Sequence, residues 1–114
     1  MVNADPIKIA GGAKCLASPD GSADREFVLD QIRKSILLHA TSRVILMVHS
    51  DCGAYGGLDG AFKGDRDREL QFLKGELQRA KANLRQAIPN IDIDAYFVDF
   101  EGVWEPKLET ATAP

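Results

Sequence analysis

Apolar positions along this chain fall into blocks whose spacing changes from one to the next. Asp5-Pro6 opens a short apolar segment, Ile7-Lys8-Ile9-Ala10, that ends in Gly11-Gly12, the pattern of a buried strand followed by a tight turn. After Ser18-Pro19-Asp20-Gly21, Ser22 is placed to cap a helix, with Asp24 and Glu26 in its first turn, where the helix dipole favours carboxylates. Val28, Ile32 and Ile36, flanked by Leu29 and Leu37, then recur on one face as far as His39. Val44 to Val48 is an unbroken apolar run, too short for a helix and without alternation, which predicts a parallel strand covered on both sides. Residues 53–64 read as a glycine-rich loop. Asp65 to Ile88 predicts a long helix with a stripe of Leu70, Leu73, Leu77, Ala80, Leu84 and Ile88, closed by Pro89-Asn90. Ile93 to Phe100 predicts the last strand, and the charged run Lys63 to Glu69 a solvated loop and helix start.

The order strand, helix, strand, helix, strand predicts an α/β protein, a βαβαβ three-layer arrangement with a central, mainly parallel sheet, as one domain over 1–114. Three strands are few for a sheet buried on both faces, so a missing strand or a partner subunit is expected to complete it, as a homodimer or higher homo-oligomer.

Composition narrows the classes. A chain of 114 residues with 45% hydrophobic and 27% charged residues is globular, and a net charge of −3 gives no electrostatic case for nucleic acid. No signal peptide or membrane-length apolar run is visible, which predicts a cytoplasmic protein without a membrane partner. In that setting Cys15 and Cys52 are read as thiols or metal ligands rather than a disulfide.

Binding sites in open parallel sheets lie beyond the carboxyl ends of the strands, and two unusual stretches fall there: Gly11-Gly12, and His49-Ser50-Asp51-Cys52 followed by Gly53. His-x-x-Cys supplies an imidazole nitrogen and a thiolate, both good zinc ligands, but a zinc site needs three or four protein donors. Cys15, Asp51, Gly11, Gly12 and Gly53 are candidates for a further ligand or for lining the site. Two other readings stay open: Cys52 as a small buried hydrophobe beside a strand-end histidine, and Cys52 as a nucleophile activated by a helix N-terminus and His49. The Gly11-Gly12 turn matches no phosphate-binding fingerprint and is read as a turn that brings backbone close to the site. His39 at a helix end is read as structural, and Trp104 as a lid on the core.

These residues resemble the β-class carbonic anhydrases. "VILMVHSDCGA" is similar to that family's apolar strand ending in His-Thr/Ser-x-Cys-Gly, and "IKIAGGAK" to its strand ending in Asn-Ala-Gly. "REFVLDQIRKSILLHATSRVILMVHSDCGA" resembles the helix leading into the ligand strand, and "IDAYFVDFEG" the late strand with a turn after an Asp. The resemblance implies that His49 and Cys52 ligate zinc, that dimers form a continuous sheet, and that the reaction is reversible hydration of carbon dioxide to bicarbonate by zinc-bound hydroxide, a lyase activity. The family's Cys-x-Asp-x-Arg segment, source of its other thiolate and of an Asp-Arg pair, has no counterpart here, and Ile9 stands where the family has Asn. The expectation is a fold of this type without its first strand, N-terminally truncated and with little or no activity of its own. The alternative is a non-catalytic oligomeric binding module that keeps the fold.

Overall fold

Both long helices begin where a short polar side chain captures a free amide. In the computed structural model, which describes residues 6–9, 11–18, 22–106 and 108, the Ser22 hydroxyl accepts from Arg25 N–H at 3.2 Å and the Asp65 carboxylate from Arg68 N–H at 3.0 Å. They start α2 (Ala23–His39) and α3 (Arg66–Ala87), which follow a single helical turn, α1 (Lys14–Ala17). Ala40, in the left-handed conformation, ends α2, and Ile88 ends α3 just before Pro89. These two helices stand where the spacing of their apolar residues placed them.

The strands are β1 (Arg43–His49), β2 (Asp92–Val98) and β3 (Val103–Trp104), in the order β1-β2-β3. β1 and β2 run parallel, with Arg43 opposite Asp92 and His49 opposite Val98, while β3 is antiparallel to β2. The parallel pair requires a crossover, and α3 provides it, lying against both strands; α1 packs on α3 and α2. The architecture is therefore mixed α/β, with a small mixed sheet. Leu46 and Val48 of β1, Ile93, Ala95 and Phe97 of β2, and Leu73, Leu77, Ala80 and Leu84 of α3 form one core with Val28, Leu29 and Ile32 of α2 and Ala13 and Leu16. Burying each of those leucines contributes about 1.5–3 kcal/mol.

The expected strand at Ile7–Ala10 is not formed over its described part. Residues 7–9 form no strand and have no ladder partner, Ile7 and Lys8 are exposed, and Ala10 lies outside the described residues. The place beside β1 that such a strand would take is met instead by the turn at Gly11-Gly12, where Ala13 N–H donates to Met47 O at 3.0 Å. β1 is not covered on both sides either. Its burial alternates, with Val44, Leu46 and Val48 inward while Ile45 is 54% and Met47 45% exposed. A run of aliphatic residues satisfies a one-sided sheet as readily as a two-sided one.

The last strand stops at Val98 rather than Phe100, because the Asp99 carboxylate accepts from Glu101 N–H at 2.8 Å and Gly102 N–H at 3.0 Å and turns the chain back into β3. Trp104 is no lid: it sits half-exposed on this short edge strand. The region read as a loop is compact, with a 3₁₀ turn at Gly53–Tyr55 and a wide helical turn at Gly57–Ala61. No helix among the described residues is long and apolar enough to cross a membrane.

Candidate functional site

At the carboxyl end of the parallel pair, the chain leaves β1 at His49 and must turn within three residues. Ser50 N–H still bonds β2, donating to Val98 O at 2.8 Å. Asp51 then adopts a left-handed backbone, φ 58°, which reverses the chain direction. Its side chain holds the next turn as well, since Asp51 Oδ1 accepts from Leu58 N–H at 2.8 Å. Cys52 begins the 3₁₀ turn, its carbonyl accepting from Tyr55 and Gly57 N–H.

His49 follows the odd-numbered residues of β1 onto the open face and is exposed. Its Nδ1 lies 2.8 Å from Ser50 O. A carbonyl oxygen only accepts, so Nδ1 is the donor; in the neutral ring the lone pair is then on Nε2, the arrangement a metal-binding imidazole takes from its supporting hydrogen bond. A shallow cleft of about 240 Å³ adjoins it, lined by His49, Ser50, Val98, Asp99 and Phe100. Asp99 is held below the usual carboxylate range, first by its hydrogen bond with Trp104 and then by the amides of Glu101 and Gly102.

Cys52 is buried, 4% exposed, and free of any disulfide. Tyr55, three residues further on, has a phenol ring that packs edge-on against Phe72 of α3. Burial, then the neighbouring Glu76 carboxylate, pushes that phenol above its ordinary range. Lys14 reaches the same turn, with Nζ 5.4 Å from the centre of the Tyr55 ring and bonded to Ala54 O at 3.0 Å. Gly53 opens this turn with free space around it.

Gly11 and Gly12 bring backbone against β1 itself. Gly12, φ 59°, approaches so closely that an added Cβ would stand 2.2 Å from Met47 O. Among the described residues Cys15 forms no three-donor group with His49 and Cys52. It packs against the core from α1, and burial, then the Asp24 carboxylate, raises its thiol.

A zinc ion would find suitable donor chemistry at His49 and Cys52 but too few donors. Among the described residues no three His, Cys, Asp or Glu side chains come together to hold an ion. His49 lies exposed on the open face and Cys52 is buried, so the two do not by themselves make up a zinc centre, and no reaction step is derived through a metal.

One buried carboxylate at the site is not evident from the sequence. Glu69, in the first turns of α3, is 1% exposed, and its carboxylate accepts from Ser50 Oγ at 2.6 Å and from Asp51 N–H at 2.7 Å. The signal was present: Glu69 stands four residues before Leu73 on the stripe Leu73, Leu77, Ala80, Leu84, so a charge occupies a core position of the helix. No protein-family model, curated protein or solved structure matches the chain.

Proposed function

We propose that this chain is a carbonic-anhydrase-like protein that contributes His49 and Cys52 to a zinc centre and by itself hydrates carbon dioxide weakly or not at all. The observation carrying the proposal is the His49 ring: its Nδ1–H is engaged by Ser50 O, so Nε2 is presented with a lone pair at the carboxyl end of a parallel strand, three residues before a cysteine. When bound, zinc supplies a hydroxide nucleophile by lowering the pKa of its water to about 7. This chain's residues provide one imidazole and one thiol; the remaining donors come from a second copy or another polypeptide segment. An additional strand supplied with those donors would give the three-layer, mainly parallel sheet of the family. The free thiols at Cys15 and Cys52 suit a reducing cytoplasm.

Elemental analysis and stopped-flow hydration of carbon dioxide test this reading on the purified chain. Zinc that is retained at one ion per chain or per pair of chains, and lost on Cys52→Ser, supports it, together with hydration close to the uncatalysed rate. Metal-free, folded protein refutes the zinc assignment, and brisk zinc-dependent turnover refutes the inactivity. A second reading, a non-catalytic oligomeric binding module, is favoured by the bare sheet face, where Ile45, Met47 and Val103 are exposed together. It gains if zinc is absent and the chain associates.

A further inference from the structure

A carboxylate that is 1% exposed has to be balanced locally, because an isolated buried charge is far costlier than a surface one. Among the described residues no lysine or arginine forms an ion pair with Glu69; the described pairs are Lys34–Asp30, Arg43–Asp94 and Arg79–Glu76. Its compensation comes from three other sources. Glu69 lies just inside the amino end of α3, with Asp65 as the capping residue, so the helix dipole favours its negative charge. One oxygen, Oε1, accepts from the Ser50 hydroxyl at 2.6 Å, and the other, Oε2, from the Asp51 amide at 2.7 Å, both short and charge-assisted.

Those two donors are the residues between His49 and Cys52. Ser50 is also the residue whose carbonyl engages His49 Nδ1, and Asp51 is the residue whose left-handed backbone swings the chain toward Cys52. A bidentate grip on adjacent residues fixes the peptide plane between them, which determines where the Ser50 carbonyl points. We infer that Glu69 is the positioning residue of the His49–Cys52 turn: through Ser50 and Asp51 it sets the tautomer and direction of the His49 ring and keeps Cys52 enclosed. The geometry stands apart from the zinc reading, while its consequence for metal binding rests on that reading.

The substitutions separate charge from shape. Gln can keep both contacts, with its carbonyl oxygen accepting from Asp51 N–H and its amide donating to Ser50 Oγ, so Glu69→Gln preserves the turn without the charge. Glu69→Ala removes both contacts, and Ser50→Ala removes one without disturbing α3.

Nitrogen NMR at pH 8 on the full chain reads the His49 tautomer, and iodoacetamide labelling with mass-spectrometric readout follows Cys52 against Cys15. The expected results are a single Nε2-lone-pair tautomer in the wild type and in Glu69→Gln, a mixture in Glu69→Ala and Ser50→Ala, and Cys52 labelling at least about tenfold faster in Glu69→Ala, as the loss of hydrogen bonds that close a local segment requires. Leu84→Ala, which loosens α3 far from the turn, lowers thermal stability but leaves the tautomer unchanged. Should Glu69→Ala not fold, Ser50→Ala and Glu69→Gln decide alone. A wild-type tautomer in Ser50→Ala and in any folded Glu69→Ala overturns the inference, as does an equal change in Leu84→Ala. Zinc titration of the same samples is scored separately: a changed tautomer with no zinc bound by the wild type leaves the positioning role standing and removes the zinc reading, and tight zinc binding unaffected by Glu69→Ala does the reverse.

Discussion

Replacing Gly12 with alanine tests the contact between the Gly11-Gly12 turn and β1. Gly12 has φ 59°, and the left-handed region costs a residue with a Cβ about 1–2 kcal/mol. An added Cβ would stand 2.2 Å from Met47 O and 3.2 Å from Met47 C, backbone atoms that cannot rotate aside. The turn must therefore lift from the strand, breaking the 3.0 Å bond from Ala13 N–H to Met47 O and losing about 0.5–1.5 kcal/mol more. Together these predict a loss of about 2–3 kcal/mol, equivalent to a fall in Tm of roughly 10–20 °C in a domain this small. Urea unfolding at 25 °C followed by far-UV circular dichroism measures it, with Gly53→Ala as control. Gly53 has no positive φ and nothing within 4 Å, so its substitution should stay within about 0.5 kcal/mol of the parent. A Gly12→Ala protein as stable as the Gly53→Ala control would refute the reasoning.

Two further outcomes follow from burial and charge. The Cys15 thiol is raised by burial and by Asp24, so less thiolate is present at neutral pH than at an exposed cysteine. Asp24→Asn removes the second cause, and the pH at which Cys15 labels half-maximally should fall; an unchanged labelling profile counts against the assignment. Leu77, fully buried on the α3 stripe, should cost about 2–5 kcal/mol on truncation to alanine, whereas Leu37, 81% exposed at the end of α2, should cost less than about 0.5 kcal/mol. Comparable losses in a thermal melt would mean that the helix faces are misassigned.

What was legible in the sequence was what local chemistry decides. Ser22 caps the helix it is expected to cap, the long helix begins beside Asp65, and Val44 to Val48 lies within a strand, because each signal is carried by residues within a turn or two. The segment Ile7–Ala10 was read as a strand on apolar content, but strand formation needs a hydrogen-bonding neighbour, and that information is not local. The exposed face of β1 was hidden for the same reason, since Ile45 and Met47 look no different from Leu46 and Val48 until the helices have chosen a side. At the site, His49 and Cys52 stood out by residue type and spacing. Glu69 did not, because it sits in a run of alternating charges, and only its phase with Leu73 and Leu77 distinguishes it from its solvated neighbours.

The parallel pairing of β1 with β2 also bears on the order of assembly. Arg43 meets Asp92, and His49 meets Val98, only after the whole intervening segment, including α3, has been drawn back along the sheet. Contacts so distant in sequence bear the entropy of loop closure before they return any stabilisation, and they form late. The turn holding His49 and Cys52 is tied to Val98 on one side and to Glu69 on the other. It therefore acquires its shape at the end of folding, and a nascent chain interrupted between Cys52 and β2 carries the His-Ser-Asp-Cys motif without the contacts that shape it.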